Sequence, residues 1–100
     1  MSNFQAVVIR PNISRDFGKK GRQLKLRVWI PPIAGDIGIE KFEALQGVYQ
    51  ERLEIVAKPA LGRALIILNF LACSSAGVRR TALKLAADIQ KHLGVPTTIQ

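Results

Sequence analysis

The segment QLKLRVWI, residues 23–30, decides the fold, because two sets of side chains alternate along it without exception. Period-2 alternation over these eight residues is typical of a strand that turns one face to a core and the other away from it. We therefore predict a strand with a buried and an outward set of side chains. The buried set is Leu24, Leu26, Val28 and Ile30, and the outward set is Gln23, Lys25, Arg27 and Trp29.

The elements on either side of this strand are predicted from composition and periodicity. The β-branched segment from Phe4 to Arg10 predicts a first strand, which Pro11 ends. Apolar residues spaced by three and four predict a helix over about residues 37–57, with Asp36 as its N-cap. The last part of this helix, Leu53–Ala57, can also be interpreted as a strand.

The second half of the chain predicts a strand, a helix and a short last strand. Residues 64–72 are apolar apart from Asn69, which predicts a central strand covered on both faces. A second helix follows, with Ser75 as its cap and Gly94 at its end. Residues 97–100 predict the last strand.

These elements predict one α/β domain over residues 1–100, bordering on the α+β class, with the element order ββαβαβ. The first two strands are expected to form a hairpin joined by a basic loop at residues 11–22. The later crossovers are expected to make parallel pairs, giving a mixed four-stranded sheet. Both helices are expected mainly on one face of the sheet, which leaves the other face open to a partner.

Composition excludes several classes of protein. The chain has 48% hydrophobic residues, too many for a disordered segment. One cysteine and one histidine exclude a disulfide framework and multi-histidine metal sites, so no metal or other cofactor is expected. No secretory signal is recognised at the start, and the apolar segment at residues 64–73 is too short to cross a bilayer. The expected location is therefore cytoplasmic, with no membrane partner.

Positive charge is concentrated at the two ends of the chain. There are 15 Lys and Arg residues against 7 Asp and Glu residues, a net charge of +8. The first 30 residues and the last 38 are strongly basic, whereas the segment between them is mildly acidic. A charge of this size predicts a polyanionic partner, such as nucleic acid, or an acidic protein.

The first candidate site is the predicted hairpin. Lys25 and Arg27 can neutralise phosphates, and an exposed Trp29 can stack on a base. Further basic residues lie near them in the sequence: Arg10, Arg15, Lys19, Lys20 and Arg22. Alternatively, Trp29 packs in a minor core or a dimer interface and the basic side chains only aid solubility. No RNP-type aromatic motif is present to make the assignment specific.

The second candidate site is the junction before the second helix. Ser75 opens a helix N-terminus, where backbone amides favour anions, and Arg79, Arg80 and Lys84 follow it. The alternative is an ordinary serine cap with solvated arginines.

Cys73 and Arg79 also have the Cys-x5-Arg spacing of cysteine phosphatases. The glycine is misplaced for that loop and no partner acid can be assigned, so Cys73 is interpreted as a small buried residue and no enzymatic activity is expected.

Residues 24–100 also resemble the STAS domains of anti-sigma-factor antagonists. The resemblance rests on Gly35-Asp36 opening one helix and on the segment SSAGV, residues 74–78, opening the next. It implies a regulatory protein-interaction domain with Ser74 or Ser75 as the phosphorylated residue. The chain departs from the family pattern, because Cys73 replaces an aspartate, Ala76 is inserted before the glycine, and the closing strand and helix are missing.

The sequence favours a small, basic, non-enzymatic module that binds a polyanion. Nucleic acid, either RNA or single-stranded DNA, is the leading ligand, bound across the open sheet face and the basic loop. The STAS-like regulatory domain with an acidic protein partner is the first alternative. The second alternative is a subunit of a homo-oligomer that buries the open face in self-association.

Overall fold

The computed structural model describes residues 7–11, 17–30, 39–57 and 64–100. The strands are β1 (Val7–Ile9), β2 (Arg22–Ile30), β3 (Leu53–Ala57), β4 (Ala64–Ala72) and β5 (Thr97–Ile99). The helices are α1 (Ile39–Tyr49) and α2 (Ser75–Leu93), and a 3-10 turn (Gln50–Arg52) joins α1 to β3. The α/β class is confirmed. The start of the predicted first strand at Phe4, the basic residue Arg15 and the cap at Asp36 lie outside the described residues.

The main sheet has the strand order β2-β4-β3, and β4 is antiparallel to both of its neighbours. β2 pairs with β4 along its whole length, from Arg22 opposite Ala72 to Ile30 opposite Ala64. β3 covers only part of the other edge, from Leu53 opposite Leu68 onward. The segment β2-α1-β3 is thus a βαβ unit with β4 inserted between its two strands.

Of the two interpretations of Leu53–Ala57, the strand is confirmed and the continuation of the helix is wrong. Gln50 has a φ of 59°, in the left-handed region that a helix cannot continue through. The chain then forms a strand that buries Leu53, whose carbonyl oxygen accepts a hydrogen bond from Gln46 Nε2 at 3.0 Å.

This extra strand changes the order of elements to ββαββαβ. Because β4 follows β3 directly in the chain, the two strands pair as antiparallel neighbours. The predicted parallel pairs across the crossovers are wrong, because β2 and β4 are antiparallel and β5 pairs with β1 and not with β4.

The predicted hairpin of the first two strands is also corrected. β1 lies against β2, but its strand partner is β5, to which it is parallel in a separate two-stranded sheet. Val7 N donates to Pro96 O at 2.8 Å, and Gln100 N donates to Ile9 O at 3.0 Å. The chain reverses toward β1 at Gly94, where a φ of 70° ends α2 as predicted. The result is five strands in two sheets in place of four in one.

The hydrophobic core lies between the helices and one face of the main sheet. Helix α2 buries a 3.6-period stripe that includes Val78, Leu85 and Ile89, and α1 buries Phe42 and Leu45. The sheet residues buried against them are Leu26, Val28, Ile30, Ile66, Leu68 and Phe70.

The opposite face of the main sheet is incompletely covered by the described residues. Leu65, Ile67 and Asn69 of β4 are only half-buried and Leu71 is exposed, so β4 is central in the sheet but not covered on both faces as predicted. Trp29 and Val56 are each 54% exposed on the neighbouring strands. The fold therefore leaves an apolar surface bordered by charged side chains.

The turn before β2 is fixed by Gly21. It has a φ of 81°, and a Cβ on it would lie 2.7 Å from Cys73 Sγ and 3.0 Å from the carbonyl oxygen of Ala72. We expect Gly21→Ala to lower the free energy of unfolding by about 1–3 kcal/mol, because it adds both backbone strain and a close contact. Urea denaturation followed by circular dichroism measures the loss.

Gly18→Ala is the matched control, because Gly18 also has a positive φ, 69°, but no heavy atom within 4 Å of a built Cβ. Its loss is expected to stay at about 1 kcal/mol, the cost of the backbone conformation alone. Equal losses in the two variants would contradict close packing of the turn against the end of β4.

Candidate polyanion-binding site

The outward face of β2 carries two cations and an indole in one row. Lys25, Arg27 and Trp29 are all exposed, because the alternate positions of the strand are buried in the core. Their partners on β4 are Asn69, Ile67 and Leu65, respectively. The cations and the indole thus border an apolar strip on the open sheet face.

A groove of about 490 Å³ runs along β2. Three cationic residues, Arg22, Lys25 and Arg27, are among those that line it. Strand alternation puts Arg22 on the helix side of β2 and Lys25 and Arg27 on the open face. None of the three forms a salt bridge with an acidic side chain among the described residues. The salt bridge found in that part of the chain joins Lys84 to Asp88. The remaining lining residues are Gln23, Leu24, Leu26, Phe70 and Val78. We call this the β2 groove.

The basic turn and the start of α2 meet at one end of the sheet. Lys19 and Lys20 form an exposed turn, and Gly21 packs against Cys73 and Ala72 at the end of β4. Arg79 and Arg80 are exposed one turn into the helix that follows. The two sites predicted from separate parts of the sequence are therefore neighbours in the fold.

One predicted cation does not join this arrangement, and another is not among the described residues. Arg10 is exposed at the end of β1 and does not line the β2 groove. Arg15 lies outside the described residues, so the basic loop is represented by Lys19, Lys20 and Arg22.

The cap of α2 is Ser74, one residue earlier than predicted. Its side-chain oxygen accepts a hydrogen bond from Gly77 N at 3.1 Å, and its carbonyl oxygen accepts one from Val78 N at 3.1 Å. Two amides near the helix start therefore already have acceptors within the chain. Ser75 is exposed in the first turn, and Cys73 is exposed instead of buried, because it follows the last strand residue.

A second groove, of about 480 Å³, lies beside the part of β4 that extends past the start of β3. Two cations line it, Arg52 from the 3-10 turn and Lys84 from α2. The other lining residues are Gln23, Tyr49, Glu51, Leu68, Asn69, Phe70, Leu71 and Thr81. We call this the Tyr49 groove. Arg52 is not among the candidate cations that the sequence indicates, because only the fold brings it close to Lys84 and Tyr49.

Tyr49 connects the two helices at the base of this groove. Its hydroxyl donates to Asp88 Oδ2 at 2.5 Å, and Lys84 Nζ lies 3.3 Å from the same oxygen. Lys84 Nζ and the Arg52 guanidinium carbon lie 5.2 and 5.8 Å from the centre of the Tyr49 ring, within range of cation–π attraction. Burial, followed by the hydrogen bond to Asp88, raises the pKa of Tyr49 well above its usual value. The cluster holds both cations at the groove wall.

Comparisons with protein-family models, with curated proteins and with solved structures found no match for this chain. Among the described residues, no helix is long and apolar enough to span a membrane. No group of three or more His, Cys, Asp and Glu side chains lies close enough to hold a metal ion in that part of the chain. The site is therefore interpreted from its geometry and charge.

Tyr49→Phe tests the connection between the helices. Removing the hydroxyl is expected to cost about 1–2 kcal/mol of stability at neutral pH, because the half-buried Asp88 loses a hydrogen-bond donor. The native state keeps the Tyr49 proton above about pH 10, where the unfolded chain loses it. The wild-type advantage is therefore complete below that pH and falls above it, by up to about 1.4 kcal/mol per pH unit.

Urea denaturation of both proteins between about pH 8 and pH 11 measures this dependence, and Tyr49→Phe controls for every other effect of pH on stability. A stability difference that stays constant across this range would show that the Tyr49 proton is not held by the fold.

Proposed function

We propose that this protein binds single-stranded nucleic acid, RNA or DNA, without catalysing a reaction on it. The observation that carries the proposal is the row of Lys25, Arg27 and Trp29, which are exposed together on the open face of β2 beside the β2 groove. A positively charged groove with an aromatic side chain beside it is the usual arrangement for binding single strands.

The cations support the phosphate part of the proposal. Phosphates spaced along a nucleic acid require positive groups spaced along the protein, and Arg22 and Arg27 are separated by about 17 Å at the rise of a strand. Lys19 and Lys20 extend the row beyond Arg22, and Arg79 and Arg80 lie at the same end of the sheet. Each phosphate that is neutralised releases counterions, which favours binding at low salt.

Trp29 and its surroundings support the base part of the proposal. The indole is 54% exposed and lies opposite Leu65 on a sheet face that the helices do not cover. Open sheet faces that present aromatic side chains are the surfaces on which several RNA-binding domains stack bases. This likeness is one of architecture and not of sequence.

Self-association through the same face is a second candidate. Trp29, Val56 and Leu71 are apolar and each is more than half exposed on this face or at its end. Contiguous exposed apolar surface is typical of protein interfaces. The experiments below separate this candidate from nucleic-acid binding.

The first experiment varies salt. We expect affinity for a fluorescein-labelled 12-nucleotide single strand to fall with salt, with a log–log slope of about −0.7 for each phosphate contact. The double variant Lys25→Ala with Arg27→Ala is expected to reduce the magnitude of this slope by about 1.4, because two contacts are lost. Fluorescence anisotropy at several salt concentrations gives the slope.

Lys41→Ala with Lys91→Ala is the matched control. It removes the same charge from exposed positions on α1 and α2 that line neither groove. The control is expected to keep most of the wild-type slope. Equal effects of the two double variants would indicate attraction by net charge alone, and absence of binding at low salt would overturn the proposal.

The second experiment tests stacking on the indole. Trp29→Ala is expected to weaken single-strand binding by about 1–3 kcal/mol, whereas Trp29→Phe, which keeps an aromatic ring, should retain most of the affinity. Unfolding by urea and sedimentation velocity are measured on the same samples. If Trp29→Ala splits a dimer and leaves nucleic-acid affinity unchanged, self-association is the function of this face.

A further inference from the structure

The open sheet face carries opposite charges on its two edges. Ile67 of β4 lies opposite Arg27 of β2 on one side and opposite Glu54 of β3 on the other. Residues directly opposite one another in a sheet point to the same face, so Arg27 and Glu54 lie in one row, about 10 Å apart at two strand spacings. Both are exposed, and neither forms an ion pair with a described residue.

The rest of this row and the next one are apolar. Leu65 and Ile67 are half-buried in the middle of the face. Trp29 is the partner of Leu65 on β2, and the exposed Val56 adjoins its partner on β3, Ala57. One edge of the face therefore carries a cation and an indole, and the other edge carries a carboxylate and an apolar side chain.

A twofold axis that lies between two copies and runs parallel to β4 makes this face complementary to itself. It lays the β2 edge of each copy over the β3 edge of the other and keeps every residue at its own level along the strand. Arg27 then faces Glu54 of the partner subunit. At the next level, Trp29 faces Val56 of the partner subunit. Packed sheets lie about 10 Å apart, a gap that an arginine and a glutamate side chain span together.

The other twofold arrangement opposes like charges. An axis perpendicular to the strands lays β2 over β2, so that Arg27 of each copy faces the same cation of the other, and Glu54 likewise faces a carboxylate. Like charges that meet at an interface disfavour the complex. Charge complementarity therefore selects the axis parallel to β4.

The size of the face indicates a weak dimer. β2 and β4 have nine residues each and β3 has five, so the face measures roughly 30 Å by 14 Å. A surface of this size is at the low end of protein interfaces, where complexes are transient. A transient dimer can be displaced by another ligand of the same face.

We propose that a second copy of this chain occupies the open face when nucleic acid is absent, and that the dimer and the nucleic-acid complex exclude each other. The dimer covers Lys25, Arg27 and Trp29, the residues proposed to contact the strand. The exclusion rests on the proposed function, whereas the dimer rests on the geometry of the face alone. Self-association thus regulates access to the binding surface.

Sedimentation velocity over a range of protein concentrations tests the dimer. Arg27→Glu and Glu54→Arg are each expected to weaken it by about tenfold or more, because each puts like charges together at two places. An equimolar mixture of the two variants is expected to form the dimer again. A chain that carries both changes should also dimerise as wild type does, because the axis parallel to β4 restores both pairs.

Lys41→Glu and Glu43→Arg are the matched controls. They make the same charge changes at exposed positions of α1, which packs on the other side of the sheet. Neither is expected to change the dimer as much as the variants of the open face. Arg27→Glu also lowers the net positive charge, which by itself would favour association, so the expected weakening cannot arise from net charge. Thermal unfolding of each variant verifies the fold.

The exclusion is tested with a single strand of about six nucleotides, near the small end of single-strand sites. An excess of this strand is expected to convert dimers into single copies that each carry one strand, measured by sedimentation velocity on a fluorescein-labelled strand.

The outcomes separate the dimer, the exclusion and the proposed function. Wild-type protein that stays monomeric at about 1 mM overturns the dimer. A dimer that both single variants leave intact, or that the chain with both changes fails to form, overturns the proposed arrangement. A strand that binds the intact dimer overturns the exclusion. If no strand binds at low salt, the proposed function and the exclusion fail together, and the charge variants still decide whether the dimer exists.

Discussion

The pairing of β2 with β4 is the contact on which the rest of the structure depends. It joins residues 22–30 to residues 64–72 in one unbroken antiparallel register. Because side chains on a strand alternate, this register puts Leu26, Val28 and Ile30 into the core and leaves Lys25, Arg27 and Trp29 outside. A shift of one residue would bury the cations, so the same pairing that completes the core also fixes the cationic face.

The sequence predicts the elements whose signal is local. The alternation of β2 and the 3.6-residue stripe of α2 are repeated over enough positions to identify both elements and their buried faces. For β3 the sequence leaves helix and strand open, because Tyr49, Leu53 and Val56 continue the helical spacing of α1 and neither glycine nor proline separates them. The helix ends at the backbone conformation of Gln50, which sequence does not reveal. The pairing of β1 with β5 joins the two ends of the described chain, so no local pattern indicates it.

The candidate site divides in the same way. Lys25, Arg27 and Trp29 follow from the alternation of one strand and can be grouped from sequence. Arg52 and Glu54 cannot, because only the fold places the 3-10 turn and β3 beside β4. The opposite charges on the two edges of the open face are therefore known only from the fold.

The chemistry of the open face restricts the ligand that it fits. Its edge along β2 is cationic, whereas its middle is formed by Leu65 and Ile67 beside the indole of Trp29. An acidic protein matches the charge but brings carboxylates, which lose hydration over the apolar middle. A nucleic acid meets the cationic edge and the apolar middle with different groups. Its phosphates carry the negative charge, and its bases present flat apolar faces. Bases of a duplex are stacked on one another and are not available to the indole, which is why we propose a single strand and not a duplex as the ligand.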